Sequence, residues 1–208
     1  MTETRWWFVR HAPVPNPEKR CYGQSDVECD TTNTAAFENL ARRVPREAVW
    51  VATPLSRTQR TMRAIHQARG TTPDPLHIEP RLAEQSFGDW QGRTYAELGA
   101  YGHGTTAAHR FWLTPAHSVP PGGESFITVI ERVHAAVEAL SKTHVGQDIV
   151  CVAHGGSIRA ALALSLGLTP EAALAVSVDT LSLTRLDLID STTAGHAWRV
   201  GLVNQPAV

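Results

Sequence analysis

Three short apolar runs constrain this 208-residue chain more than any other feature. They are Trp6-Trp7-Phe8-Val9, Ala48-Val49-Trp50-Val51-Ala52 and Ile149-Val150-Cys151-Val152-Ala153. Each reads as a buried strand, apolar on both faces, the pattern of a parallel sheet with helices packed on either side. Helical periodicity fills the intervals. Residues 33–44 place Ala36, Phe37, Leu40, Ala41 and Val44 on one face, with Thr32 as the expected cap. Residues 56–68 form a helix closed by Gly70, and residues 157–166 one closed by Gly167. Phe126, Val129, Ile130, Val133, Val137 and Leu140 mark a further helix over 125–140. Residues 176–188 and 197–203 read as late strands paired through a turn at 190–195. No linker or repeat divides the chain, so one domain over 1–208 is expected, with a helix and a Pro- and Gly-containing excursion at about 95–123 as a small cap insertion.

Charge narrows the partners. Lys and Arg number 19 against 20 Asp and Glu, without the basic excess of a nucleic-acid binder. No stretch approaches the roughly 20 apolar residues of a membrane span, and the first residues lack the pattern of a signal peptide. The three cysteines, Cys21, Cys29 and Cys151, show no zinc-ligand pairing, so a reduced, cytoplasmic protein is expected. The remaining histidines lack metal-ligand spacing, and no metal or cofactor is expected.

What the strands hand to their carboxyl ends gives the chemistry. Arg10-His11 follows the first run, Thr53-Pro54 the second with Arg57 in the next helical turn, and His154-Gly155-Gly156 the last. Open α/β folds build their sites on this edge, and backbone N–H groups at a helix start favour an anion. Two guanidiniums and two imidazoles on one rim fit a phosphoryl group.

With Leu82-Ala83-Glu84-Gln85-Ser86-Phe87-Gly88-Asp89-Trp90 as a fourth segment, the set resembles the histidine phosphatase, or phosphoglycerate-mutase-like, superfamily. That resemblance implies a three-layer α/β/α sandwich with a mostly parallel central sheet. It implies that His11 is the nucleophile and becomes phosphorylated, that Arg10, Arg57 and a charged His154 cage the phosphate, and that Glu84 is the acid. The expected partner is a small phosphorylated substrate, without nucleic acid or membrane, and an exposed late strand offers an edge for a homodimer.

Three positions depart from the family pattern. Ala12 replaces a Gly, Pro17 stands where an Asn is frequent with Asn16 one place early, and Gln91 replaces a Glu. The stretch Cys21-Tyr22-Gly23-Gln24-Ser25-Asp26, with Pro120-Pro121-Gly122-Gly123-Glu124-Ser125, is similar to α-ribazole-phosphatase-like members. By that resemblance Tyr22, Gln24, Ser25 and Glu124, beside Arg10, Arg57, His154 and Gly155, bind the substrate. The implied activity is a metal-independent phosphomonoester hydrolase, with α-ribazole 5′-phosphate as the best-named substrate. The alternatives are a phosphoglycerate mutase and a catalytically silent binder of phosphorylated ligands.

Overall fold

A computed structural model describes residues 2–72, 76–101, 114–190 and 197–207. Six strands form one sheet: β1 (Thr2–Arg10), β2 (Val49–Ala52), β3 (His77–Ile78), β4 (Asp148–Ala153), β5 (Leu183–Asp190) and β6 (Trp198–Gln205). Their order is β3-β2-β4-β1-β5-β6. The pairs β1 with β4, β4 with β2 and β2 with β3 are parallel, whereas β5 runs antiparallel to both β1 and β6. The late insertion of β4 between β1 and β2 decides the location of function. It sets the carboxyl ends of β1, β4 and β2 side by side, the arrangement that opens a crevice in open α/β sheets.

The side-chain period of a strand divides the core in two. On one face Trp6, Phe8, Ile149, Cys151 and Ala153 pack with α4 (Phe126–Thr143), α5 (Gly155–Leu166) and α6 (Pro170–Leu174). On the other, Val9, Trp50, Val150 and Val152 meet Phe37 and Leu40 of α1 (Thr34–Arg43) and Met62 and Ile65 of α2 (Ser56–Arg69). The result is the expected three-layer α/β/α sandwich. No helix among the described residues is long and apolar enough to cross a membrane.

Four boundaries differ from the sequence reading. β1 begins at Thr2, four residues early, because the polar start pairs with β5 from Thr2 opposite Asp190. The cap of α1 is Asn33, whose side chain accepts from the Ala36 N–H at 3.2 Å; Thr32 instead donates to Asp30. α5 starts at Gly155, so both glycines after His154 are helical. Residues 176–182 form a loop rather than strand, turning at Leu181 with φ of 59°. The pairing of β5 with β6 is present, but all of the expected 190–195 turn except Asp190 lies outside the described residues. Of the expected cap, α3 (Tyr95–Tyr101) and residues 114–123 are described, and residues 102–113 lie outside.

Candidate active site

His11 follows β1 directly, and its backbone N–H extends the ladder to the Ala153 carbonyl at 3.0 Å. Its ring is 1% exposed, and Nδ1 lies 2.7 Å from the Ala12 carbonyl, an acceptor only. Nδ1 therefore carries the hydrogen, and Nε2 keeps its lone pair. Burial above all, then the Arg57 and Arg10 guanidiniums, pushes the His11 pKa down to about 3. Ala12, in place of the usual Gly, is not among the residues of positive φ, so its methyl is tolerated.

His154 ends β4 and precedes α5, with its ring centroid 5.2 Å from that of His11. Thr53 Oγ1 lies 2.9 Å from its Nε2, while Nδ1 is buried without a partner. The sequence reading expected a charged ring here. Burial first, then Arg57, His11 and Arg10, instead lowers the His154 pKa well below 6.5, which favours the neutral ring. With the Thr53 hydroxyl donating to Nε2, Nδ1–H still presents a donor.

Arg57 is fully buried in the first turn of α2. Its Nη1 donates to Ser25 O at 2.8 Å and its Nη2 to Gly23 O at 2.6 Å, and the Tyr22 ring lies 5.1 Å from Cζ. α2 has no capping side chain of its own. Asp26 supplies one from the loop, accepting from the Ser56 N–H at 2.7 Å. The loop bearing Tyr22, Gln24 and Ser25 thus grips Arg57. Gln91, which replaces the motif Glu, steadies that loop by accepting from the Gln24 N–H at 2.8 Å. Arg10 donates through Nη1 to Val178 O at 2.5 Å, in the stretch misread as strand.

Nε of Arg10, Nε of Arg57 and Nδ1 of His154 are all buried with no hydrogen-bond partner. An orphaned buried donor is costly, and because the charges of Arg10 and Arg57 act on His11 and the His154 ring lies beside it, the three fit a receptor for an anion. Gly155 lets the receptor close. A Cβ there would stand 3.1 Å from Arg159 Nη1 and 3.7 Å from Arg10 Cζ.

Arg159, which the sequence reading did not single out, lies beside Gly155 and interacts electrostatically with Glu84 and Arg10, which makes it a candidate member of the site. It is 9% exposed, donates through Nε to Val176 O at 2.7 Å, and its pKa is pushed down to about 10, by burial first. One signal was available: Arg159 is the lone charge in the otherwise apolar or small stretch 155–166.

Glu84 approaches from the loop between β3 and α3 and is 7% exposed. Its carboxylate accepts from the Gly156 N–H at 3.1 Å and the Gln85 N–H at 2.9 Å, which anchors it at the start of α5. Its charge acts on both Arg57 and Arg159. The carboxylate of Glu124 is taken up by protein donors, Ser86 N–H at 2.9 Å and Arg132 Nη2 at 2.8 Å among them. All three cysteines are free and buried, and among the described residues no three His, Cys, Asp or Glu side chains gather as a metal site.

Keeping His11 neutral has a stability consequence. Above pH 6.5 the ring is neutral folded or unfolded; between 6.5 and about 3 only the unfolded chain binds the proton. Stability should therefore fall as pH drops through that window. Urea unfolding at pH 7.5 and pH 5 should show His11→Asn losing less stability than the wild type, by on the order of 1 kcal/mol. An equal loss in both would contradict the neutral, buried assignment.

A sequence model of the histidine phosphatase superfamily (branch 1) matches residues 6–201. A glucosyl-3-phosphoglycerate phosphatase of Mycolicibacterium vanbaalenii is 34% identical over 180 residues, 81% of this chain and 76% of that protein. A bifunctional protein of Mycobacterium tuberculosis is 32% identical over 210 residues, 98% of this chain but 54% of its own length, so the chain spans about half of that relative. Among solved structures, a mycobacterial glucosyl-3-phosphoglycerate phosphatase superposes with a TM-score of 0.81 at 28% identity, covering 98% of this chain and 99% of that one. The α-ribazole phosphatase of Shigella flexneri has a TM-score of 0.77 at 23% identity over 97% and 96% of the two chains, a likeness of fold alone.

Proposed function

The chain belongs to the histidine phosphatase superfamily, and from that premise we propose that it hydrolyses phosphomonoesters through a phosphohistidine on His11. The observation that carries this reading is that the Arg10 and Arg57 charges act on His11 and the His154 ring lies beside it, each of the three keeping a buried nitrogen without a hydrogen-bond partner, while His11 Nδ1 is already hydrogen-bonded. Such donors are preorganised for the charge on a transferring phosphoryl group.

His11 Nε2 forms the N–P bond, the P–O ester bond breaks, and Glu84 gives its proton to the departing oxygen. Glu84 then takes a proton from water, the hydroxide forms a P–O bond as the N–P bond breaks, and orthophosphate leaves with His11 restored. Three guanidiniums supply positive charge beside the phosphoryl site, which supports a metal-independent reaction.

The substrate reading moves away from α-ribazole 5′-phosphate. The residues that suggested it, Tyr22, Gln24, Ser25 and Glu124, also brace Arg57 or the Glu84 loop, Ser25 through its backbone carbonyl, so their motif has a structural use beside any contact with a leaving group. Glucosyl-3-phosphoglycerate, named for a relative of higher identity, becomes the leading candidate and α-ribazole 5′-phosphate the second. Phosphate release from both, with a chelator present, tests this. Chelator-resistant release with the higher kcat/KM on glucosyl-3-phosphoglycerate is expected, and the reverse order would return the assignment to α-ribazole 5′-phosphate.

A further inference from the structure

The segment carrying Glu84 has almost no secondary structure of its own. Between β3 and α3 it makes only two single turns of 3₁₀ helix, Pro80–Leu82 and Gly88–Trp90. Its buried carbonyls cannot be left unmatched. Side chains from elsewhere match them. Ser157 Oγ of α5 donates to Leu82 O at 2.8 Å and Ala83 O at 3.1 Å, and Gln24 Nε2 donates to Glu84 O at 2.8 Å.

The largest share falls to one residue of α4. Arg132 Nη1 donates to Arg81 O and to Ala83 O, both at 2.7 Å, and Nη2 donates to Glu84 O at 2.9 Å. The fork is itself oriented by Glu124, which accepts from Nε at 2.9 Å and from Nη2 at 2.8 Å. Glu124 also receives the Ser86 N–H at 2.9 Å, so the pair holds the loop on both sides of Glu84. Behind it, the Glu124 N–H donates to Ser86 O at 2.9 Å. Gly88, at φ of 51°, admits that approach: a Cβ there would lie 2.1 Å from Pro121 O. The side chains of Arg132 and Glu124 are 18% and 17% exposed, which takes the pair out of the weak class of surface bridges.

We infer that Arg132, oriented by Glu124, is the positioning residue for Glu84: its guanidinium fixes the backbone from which the acid reaches the ester oxygen. Arg132 does not itself meet the substrate; it acts through the three carbonyls it holds. Small misplacements of a catalytic group cost rate steeply, on the order of 10²-fold for about 1 Å. Arg132 makes no hydrogen bond to His11, Arg10, Arg57 or His154 and bears on this group through its charge on His154 and through Gln24, which bonds both Glu84 O and Glu124, so the larger effect of its loss falls on the Glu84 loop.

This inference rests on the phosphatase reading, and leaving-group dependence separates the two. Values of kcat/KM for p-nitrophenyl phosphate and for β-glycerol phosphate, with inhibition by inorganic phosphate, should be measured in wild type, Arg132→Met, Arg132→Lys and Glu124→Gln. A nitrophenolate departs without a proton, whereas an alkoxide needs one. Arg132→Met should lose roughly 10- to 100-fold on the alkyl ester, no more than about threefold on the aryl ester, and keep phosphate inhibition within about threefold. Arg132→Lys should recover only part of the alkyl loss, because an ammonium's single nitrogen cannot span the three carbonyls and Glu124 as the planar guanidinium fork does. Equal losses on both esters, or none on the alkyl ester, would overturn the inference. Should Arg132→Met fail to fold, Glu124→Gln carries the same selective loss and the same refutation. A wild type that turns over neither ester would remove the phosphatase reading, and this one with it.

Discussion

His11→Asn should lower turnover by roughly 10⁴-fold or more, on any phosphomonoester the wild type accepts, without unfolding the protein. The imidazole Nε2 has no substitute nearby. His154 cannot take over, because its Nε2 contacts Thr53 and the residue caps the start of α5. Asparagine suits the test because its amide N–H can replace the Nδ1–H bond to Ala12 O, while the backbone N–H to Ala153 O persists. The variant should still bind inorganic phosphate, since Arg10, Arg57 and His154 remain. Loss of turnover with retained phosphate binding separates nucleophile from cage. A His11→Asn protein that turns over at more than about a tenth of the wild-type rate would end the covalent assignment.

Glu84→Gln should produce the second-largest effect, and a selective one. On an alkyl phosphate kcat/KM should fall about 10²- to 10³-fold, within the range of general acid catalysis, and on an aryl phosphate only a few-fold. The amide oxygen can still accept from the Gly156 and Gln85 N–H groups, so the loop should stay in place. What disappears is the proton. Restricting the comparison to kcat/KM isolates ester cleavage from the later hydrolysis of the phosphoenzyme, where the same carboxylate activates water. Equal slowing of the two esters would remove the acid role from Glu84.

The residues at strand ends were legible in the sequence for a physical reason. A four- or five-residue apolar run rich in β-branched and aromatic residues is too short for a helix and reads as a buried strand, and the parallel fold brings successive carboxyl ends to one rim, so the placement of Arg10, His11, Arg57 and His154 follows from local pattern. Residues that act across long separations left no such trace. Arg132 reaches Arg81 and Glu84 over 51 and 48 residues, and Gln24 reaches Glu84 over 60, in contacts without periodicity. Composition misled once, at residues 176–182. The stretch is rich in β-branched residues, yet its backbone turns at Leu181, and its carbonyls at 176 and 178 serve Arg159 and Arg10 instead of a ladder. The shift from Thr32 to Asn33 is of another kind, because two good capping residues are adjacent and only the fold chooses between them.

The central claim is that phosphate passes through His11, and trapping that intermediate tests it most directly. The enzyme would be mixed with a fast-cleaving aryl phosphate, quenched in alkali, digested and read by mass spectrometry for an acid-labile phosphoryl group. The added phosphate should sit on the peptide bearing His11 in the wild type, increase in Glu84→Gln once water activation is impaired, and be absent in His11→Asn. Steady hydrolysis with the phosphoryl group on another residue, or with none trapped even in Glu84→Gln, would contradict it.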